Sequence, residues 1–328
     1  MEDQGQVDDL TGPVKNSLID AASDQALALT QALLDRCSFD DQARSYDLAC
    51  SGGADSTALA VLAVATGKSV TLHHVDHGLR PTSGDDVKLV ERLAVHLGCL
   101  FKSYDVVVGA GPNLEARARK ARFSVLPEGV ITGHHMDDQA ETLLLNLMRG
   151  SGARGLAAMR PGPSKPLLDL RKSELEALCE AYGLRVACDE TNQDRSLRRN
   201  AIRADLLPMM AALSERDLVP VLARVARLAR SDDDALEQLS MSLIGDPTVV
   251  ADLVSAPEAL RRRAIRRLIR DAGAGILAPS EAEVERIEAV VMGSVVAAQI
   301  EGALEIRRSK GVLNLKVIED HYASDDVT

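Results

Sequence analysis

The stretch Tyr46-Asp47-Leu48-Ala49-Cys50-Ser51-Gly52-Gly53-Ala54-Asp55-Ser56 decides how this chain is read. A short apolar run at 46–50 has the length and composition of a buried strand. Two glycines and two serines follow, and then an apolar run over 55–66 long enough for a helix. Glycines let the backbone turn tightly and bring N–H groups up to an anion. The start of the helix adds partial positive charge, and Ser51 and Ser56 offer hydroxyls. Strand, Gly-rich turn and helix in this order make a phosphate cradle on physical grounds alone. The plain alternative is an ordinary strand–turn–helix link. A Walker loop is excluded, since no Lys stands in the turn.

Outward from this stretch the pattern alternates. Periodicity predicts a helix over 17–34, then strands over 69–75, 100–108 and 130–132. Helices are predicted over 85–97, 113–126 and 137–148, with Asn113 as an N-cap. Strands alternating with helices across short links specify a parallel sheet flanked by helices, an α/β fold. In such sheets ligands sit at the carboxyl ends of the strands, where the serine–glycine turn falls. After the glycine-rich segment 150–155 the pattern becomes mainly helical, with strands expected at 303–307 and 312–317. The expected organisation is an N-terminal extension (1–44), a nucleotide-binding domain (45–212) and a smaller, mainly helical domain (213–328).

The 328 residues suffice for two cores. Aromatic residues are 2% of the chain and Trp is absent, so base-stacking platforms are few. Five cysteines, with no C-x-x-C pair, read as reduced thiols of a cytoplasmic protein. The acidic N-terminus does not read as a signal peptide, and no apolar run reaches membrane-spanning length.

Three further segments carry chemistry-bearing residues. His74-Val75-Asp76-His77-Gly78-Leu79-Arg80 follows the second strand. Arg117, Arg119 and Arg122 lie on the helix after Asn113. Gly133-His134-His135-Met136-Asp137-Asp138-Gln139-Ala140-Glu141-Thr142 follows the 130–132 strand. Asp138 and Glu141, three apart on a helix, share a face suited to an ammonium group or a metal. His134 and His135 stand where they can move a proton or stabilise phosphate charge; a packed imidazole is the alternative. A structural zinc site is disfavoured because His73, His74, Asp76 and His77 crowd one strand end with no Cys nearby.

The loop resembles the S-G-G-x-D-S signature of the PP-loop ATP pyrophosphatases. Taken with Asn113-Leu114-Glu115-Ala116, the three segments above, Asp189-Glu190-Thr191-Asn192, Arg199-Asn200 and Ile202-Arg203, the ordered set is similar to the tRNA(Ile)-lysidine synthases over residues 46–205. Phe123, Lys165 and Leu197 depart from that pattern; the Lys matters most, because it lacks the bidentate fork of an Arg. No second long C-terminal domain is read, which suggests the short form.

That resemblance implies a ligase that adenylates the wobble cytidine of tRNA(Ile) with anticodon CAU, then joins L-lysine to its C2, releasing pyrophosphate and AMP. It implies ATP and Mg²⁺, with ATP held by Ser51, Gly52, Gly53, Ala54, Asp55, Ser56 and His77. Asp55, His134, Asp138 and Arg199 are the implied catalytic set. Asp55, Arg117, Arg122, Asp138 and Glu141 are the candidates for lysine or Mg²⁺. Another tRNA-modifying enzyme of the superfamily, such as a tRNA thiolase, is the competing reading, and those use a catalytic cysteine or a cysteine-held cluster.

A net charge of −11 is unfavourable for an RNA-binding protein, so the positive charge must be local. Arg199 and Arg203 lie in one basic run. Arg263, Arg266, Arg267 and Arg270 line one face of a predicted helix, which suits a phosphate backbone. The alternative is a solvated face paired with neighbouring Glu. The oligomeric state is left open, a homodimer included.

Overall fold

A computed structural model describes residues 17–76, 83–106, 114–187, 194–195, 197–272, 279–300 and 304–317. The chain forms two compact units, 1–228 and 229–328.

The first unit holds α1 (Ser17–Asp20), α2 (Asp24–Leu34), β1 (Ser45–Ala49), α3 (Ala54–Ala65), β2 (Ser69–Asp76), α4 (Ser83–Leu97), β3 (Leu100–Asp105) and α5 (Leu114–Val125). There follow α6 (Met136–Met148), α7 (Ala153–Leu156), α8 (Lys172–Ala181), α9 (Arg198–Ala201), a π-helical turn at Ile202–Leu206 and α10 (Leu207–Ser214). The long α11 (Val219–Leu243) runs from the first unit into the second.

The expected 17–34 helix is two helices. Ser23 adopts an extended conformation and its side chain accepts from the Ala26 N–H, so it caps α2 and separates it from α1.

The sheet is parallel in the order β1-β2-β3, with Ala49 beside His73 and Asp76 beside Asp105. The strand expected at 130–132 is a single parallel bridge from Ile131 to Leu48 on the free side of β1. Beyond its polar first turn helix α3 is apolar all round, and residues 58–63 are fully buried in one core with Leu48 and Leu72 of the sheet and Leu175 and Leu178 of α8. Its N-terminus is thereby fixed at the carboxyl end of β1. A second cluster joins Ala140, Leu143 and Leu144 of α6 to Ile202, Leu207, Val219 and Ala226. The packing of Val219 and Ala226 there explains why the units part at 228/229, inside α11, rather than at the 212/213 boundary expected from sequence.

The second unit contains α12 (Val250–Ser255), α13 (Glu258–Asp271), α14 (Glu281–Met292), and an antiparallel sheet β4 (Ala297–Ile300), β5 (Leu304–Ser309), β6 (Val312–Val317). Ile265, Ile269, Ile287, Val291 and Ile306 are among its core residues. The strand β4 escapes the sequence pattern, because Ala297-Ala298-Gln299-Ile300 is short and alanine favours strands little, although Gly293 closes α14 before it.

Candidate active site

The serine–glycine turn joins β1 to α3. Gly52 sits at φ +84°, in the left-handed region that L side chains avoid, and a Cβ there would lie 3.2 Å from Val90 Cγ2. Gly53 is the N-cap of α3 and has no side-chain cap to offer, so the first N–H groups of the helix keep their capacity to bind an anion. Ser56 turns back into the loop. Its Oγ accepts from the Ser51 N–H (3.2 Å) and donates to the Gly53 carbonyl (3.1 Å). In this conformation Ser56 braces the loop.

The chain leaving Ile131 passes directly over this turn. A Cβ at Gly133 would stand 2.9 Å from the Asp55 carbonyl oxygen, a backbone atom that cannot step aside. Gly133 therefore permits the contact that brings the segment 134–141 against Asp55.

There His135 is fully buried among carboxylates. Its Nε2 lies 3.5 Å from Asp55 Oδ2 and 3.5 Å from Asp138 Oδ2, and its Nδ1 lies 3.6 Å from Asp137 Oδ2. Burial disfavours the charged ring, but the surrounding carboxylates outweigh it and push the His135 pKa up to about 10. The ring is therefore an imidazolium at neutral pH. Burial also works against ionised Asp55, and His135 outweighs it, leaving Asp55 below the usual carboxylate range. Asp55 Oδ1 is buried with no hydrogen-bond partner among the described residues.

Asp138 closes a capping box on α6 by accepting from the His135 N–H at 3.0 Å. Glu141, fully buried one turn on, takes two arginines. Arg199 Nε donates to Oε2 at 2.7 Å and Arg203 Nε to Oε1 at 2.6 Å. Both guanidinium groups also approach Asp138 Oδ1, at 3.4 and 3.6 Å. Asp137 accepts from Arg171 Nε (3.2 Å) and Nη2 (3.1 Å) and from the Lys172 N–H (2.9 Å). Burial opposes ionisation of Asp137, but His135 and Arg171 hold its carboxyl far below the usual range. Arg171 pairs in addition with Asp217. A cavity of about 240 Å³ opens beside Glu141 and Arg203, with Leu207, Pro208 and Leu218 on its apolar wall.

Comparison with known proteins gives the family. A PP-loop domain model matches residues 24–210, and a model described as the TilS substrate binding domain matches residues 249–313. A tRNA(Ile)-lysidine synthase of Nocardia farcinica is 38% identical over 74% of this chain and 80% of that protein. The chain belongs to the tRNA(Ile)-lysidine synthase family. Other members similar to it are those of Rhodococcus erythropolis, 36% identical over 81% of this chain and 86% of that protein, and of Thermus thermophilus, 37% identical over 82% and 56%. Among solved structures, a U34-tRNA thiolase from Methanococcus maripaludis aligns over 66% of this chain and 81% of that chain, with a TM-score of 0.47 and 17% identity.

Of the residues read from the sequence as this family's site, the structure brings together the loop Ser51–Ser56, Asp138, Glu141, Arg199 and Arg203. His134 lies at the edge of the group, its Nδ1 2.7 Å from Thr132 Oγ1. Arg117 is half-buried and Arg122 exposed on α5. His77, Asn113 and the segment 189–192 lie outside the described residues.

The arginines of α13 are engaged within their own unit. Arg263 pairs with Asp233 at 2.6 Å, Arg266 with Glu281, and Arg270 with Asp271 at 3.6 Å. Arg267 is buried and donates to the Ile244 carbonyl at 2.7 Å, so it does not share an exposed face with the others.

Sequence reasoning gives no role to Asp137, Arg171 or Lys172. The Asp137-Asp138 pair is a signal, but the Arg171 that partners Asp137 comes from a different helix boundary. Among the described residues no three His, Cys, Asp or Glu side chains are grouped to hold a metal ion, and no helix is long and apolar enough to cross a membrane.

Proposed function

We propose that this protein is an ATP-dependent ligase that joins L-lysine to the C2 of the wobble cytidine of a tRNA(Ile) with a CAU anticodon. The observation that carries the reading is the junction at Asp55. A phosphate-binding turn and a cluster of paired acids and arginines meet on one carboxylate, whose Oδ1 is buried without a partner among the described residues.

In the first half-reaction the cytidine C2 oxygen attacks the α-phosphorus of ATP. The bond from that phosphorus to the bridging oxygen breaks, and pyrophosphate leaves. The N-terminus of α3 and the loop N–H groups hold the phosphates. We assign His134, beside Thr132, and Arg199, held on Glu141, to the charge that develops on the phosphate. In the second half-reaction the ε-amine of lysine attacks C2, the C2–oxygen bond breaks, AMP leaves, and the nitrogen gives up a proton. Asp55 and Asp138 are the groups we assign to the lysine ammonium or to Mg²⁺. Arg117 and Arg122 are assigned to the lysine carboxylate or a phosphate. The cavity beside Arg203 offers an apolar wall to the lysine methylenes.

Mg²⁺ bound with a nucleotide takes only one or two carboxylates from a protein, and Asp55 with its orphaned oxygen fits that demand. When bound, the ion would neutralise phosphate charge as pyrophosphate departs. His135 keeps Asp55 ionised and stands 3.5 Å from both Asp55 and Asp138, holding the two carboxylates on one ring.

The second unit carries the substrate-binding match and is assigned to tRNA, with Arg266 and Arg270 of α13 as candidate phosphate contacts and Arg199 and Arg203 nearer the chemistry. A cytoplasmic location agrees with the described cysteines, all of them free. A thiolase is not favoured. Burial pushes Cys37, Cys99 and Cys179 up to about 12 and raises Cys50 as well, so these thiols are protonated and poor nucleophiles.

The test is a reaction of purified protein with ATP, lysine and CAU tRNA(Ile). AMP and pyrophosphate should appear in equal amounts, the tRNA should gain one lysyl residue, and pyrophosphate release should require tRNA. Transfer of sulfur, or turnover indifferent to lysine, would sink the reading.

A further inference from the structure

The parallel ladder between β1 and β2 ends in an unusual way. The Cys50 N–H donates to the His73 carbonyl (2.9 Å), which is the last backbone rung. The Cys50 carbonyl is met by a side chain instead: His74 Nδ1 lies 2.9 Å from it. A carbonyl only accepts, so Nδ1 carries the proton and His74 is the donor. On the other side of the same peptide bond, the Ser51 N–H is taken by Ser56 Oγ at 3.2 Å. The Cys50–Ser51 peptide unit is thus clamped at both ends by side chains, one from β2 and one from α3.

The position of this clamp matters. It is the peptide at which the chain leaves the sheet and enters the phosphate turn. Its plane sets the direction of the N–H groups that follow at Gly52 and Gly53. The imidazole is buried, so water does not compete for the carbonyl. Losing the donor leaves a buried carbonyl unsatisfied, and the peptide is free to rotate toward another partner.

We propose that His74 is a positioning residue for ATP, its Nδ1–H fixing the Cys50–Ser51 peptide and through it the phosphate-binding conformation of the turn. This rests on the ATP-dependent reading above and gives His74 a role separate from the catalytic set.

The test uses the full chain with His74→Ala, His74→Asn and His74→Gln, ATP affinity being measured by equilibrium titration without lysine or tRNA. The Asn amide nitrogen reaches about where Nδ1 lies, whereas that of Gln reaches toward the Nε2 position. A lost hydrogen bond of ordinary strength predicts ATP binding weaker by roughly 3- to 10-fold in His74→Ala. His74→Asn should recover most of that affinity and His74→Gln should not, with thermal midpoints of Asn and Gln alike. His74→Ala and Ser56→Ala act on one peptide, so their combined effect should be less than the product of the two. Equal ATP affinity in the wild type and all folded variants, or equal rescue by Asn and Gln, overturns the proposal while leaving the ligase reading standing. A wild-type protein that binds no ATP overturns both. Should the Ala variant fail to fold, the Asn–Gln contrast decides alone.

Discussion

Replacing Glu141 with Gln keeps the shape of the side chain and removes its charge. In the native protein each carboxylate oxygen holds one arginine, at 2.7 and 2.6 Å, and the carboxylate is fully buried. Breaking a buried pair by neutralising one partner costs about 3–5 kcal/mol. Here the arginine side chains are 29% and 31% exposed and retain Asp138 Oδ1 within 3.6 Å, so the charge left behind is partly solvated and partly paired. Discounting for both, the loss should be about 2–3 kcal/mol. For a unit of this size that lowers Tm by roughly 4–12 °C. The assay is thermal unfolding of Glu141→Gln and Arg203→Met, singly and together, without substrates. The double variant should lose clearly less than the sum, because each single change strands the other partner. The lysine KM should rise as Arg199 loses its anchor. A Tm unchanged from wild type, with only the lysine KM altered, would refute this reasoning and make Glu141 a direct lysine ligand.

Asp55→Ala should fold normally and release no pyrophosphate; turnover near the wild-type rate would remove Asp55 from the site. The His135 pKa is raised from an ordinary value of about 6.5 to about 10, so its stabilisation is complete below about 6.5 and is lost as the pH climbs through about 10. Thermal midpoints of the wild type should therefore fall between about pH 7 and pH 10 more than those of His135→Gln, and parallel curves would disprove the imidazolium. Arg267→Ala removes a buried charged hydrogen bond worth about 1.5–3 kcal/mol. It should lower stability while leaving tRNA affinity at a permissive temperature intact, and weaker tRNA binding without loss of Tm would return Arg267 to the RNA surface.

What is legible in the sequence follows contact distance. The turn at 51–56 is readable because its requirements are local: positive φ at Gly52, an uncapped helix start, an apolar helix that must be buried. Asp138 and Glu141 are readable as one helix face, since helical geometry guarantees it. Their partners are not. Arg199 and Arg203 reach Glu141 from 58 and 62 positions along the chain, and nothing in local pattern encodes that meeting. His135 illustrates the same limit. The motif shows two adjacent histidines, and only burial against Asp55, across the gap that Gly133 permits, makes one a buried cation and leaves the other near the surface. The split between α1 and α2 is legible in principle, because Ser23-Asp24 is an N-cap signal, but the apolar spacing on either side masks it.

The α13 arginines raise the question of how an acidic protein holds an acidic RNA. Glu281 is 54% exposed and neutralises two of them, pairing with Arg262 Nη1 at 2.6 Å and with Arg266. If this face meets phosphate, the RNA must displace a carboxylate from both guanidinium groups, and Glu281 then stands against the incoming charge. Glu281→Gln removes that competitor. Its own structural cost is small, about 0.3–1 kcal/mol from the lost charge in the first turn of α14, where Glu281 lies. Tight pairing of Arg262 with Glu288 at 2.9 Å remains to hold α13 on α14. The variant should therefore bind tRNA more tightly than the wild type at low salt, whatever the tRNA sequence, because phosphate contacts carry no base information. Each additional phosphate that the released arginines neutralise should steepen the log–log salt slope by about 0.7–0.9. ATP affinity should not move. Affinity and salt slope both equal to wild type would show that α13 is a helix whose charges serve only its own unit, and the RNA-binding surface would have to be sought elsewhere on the protein.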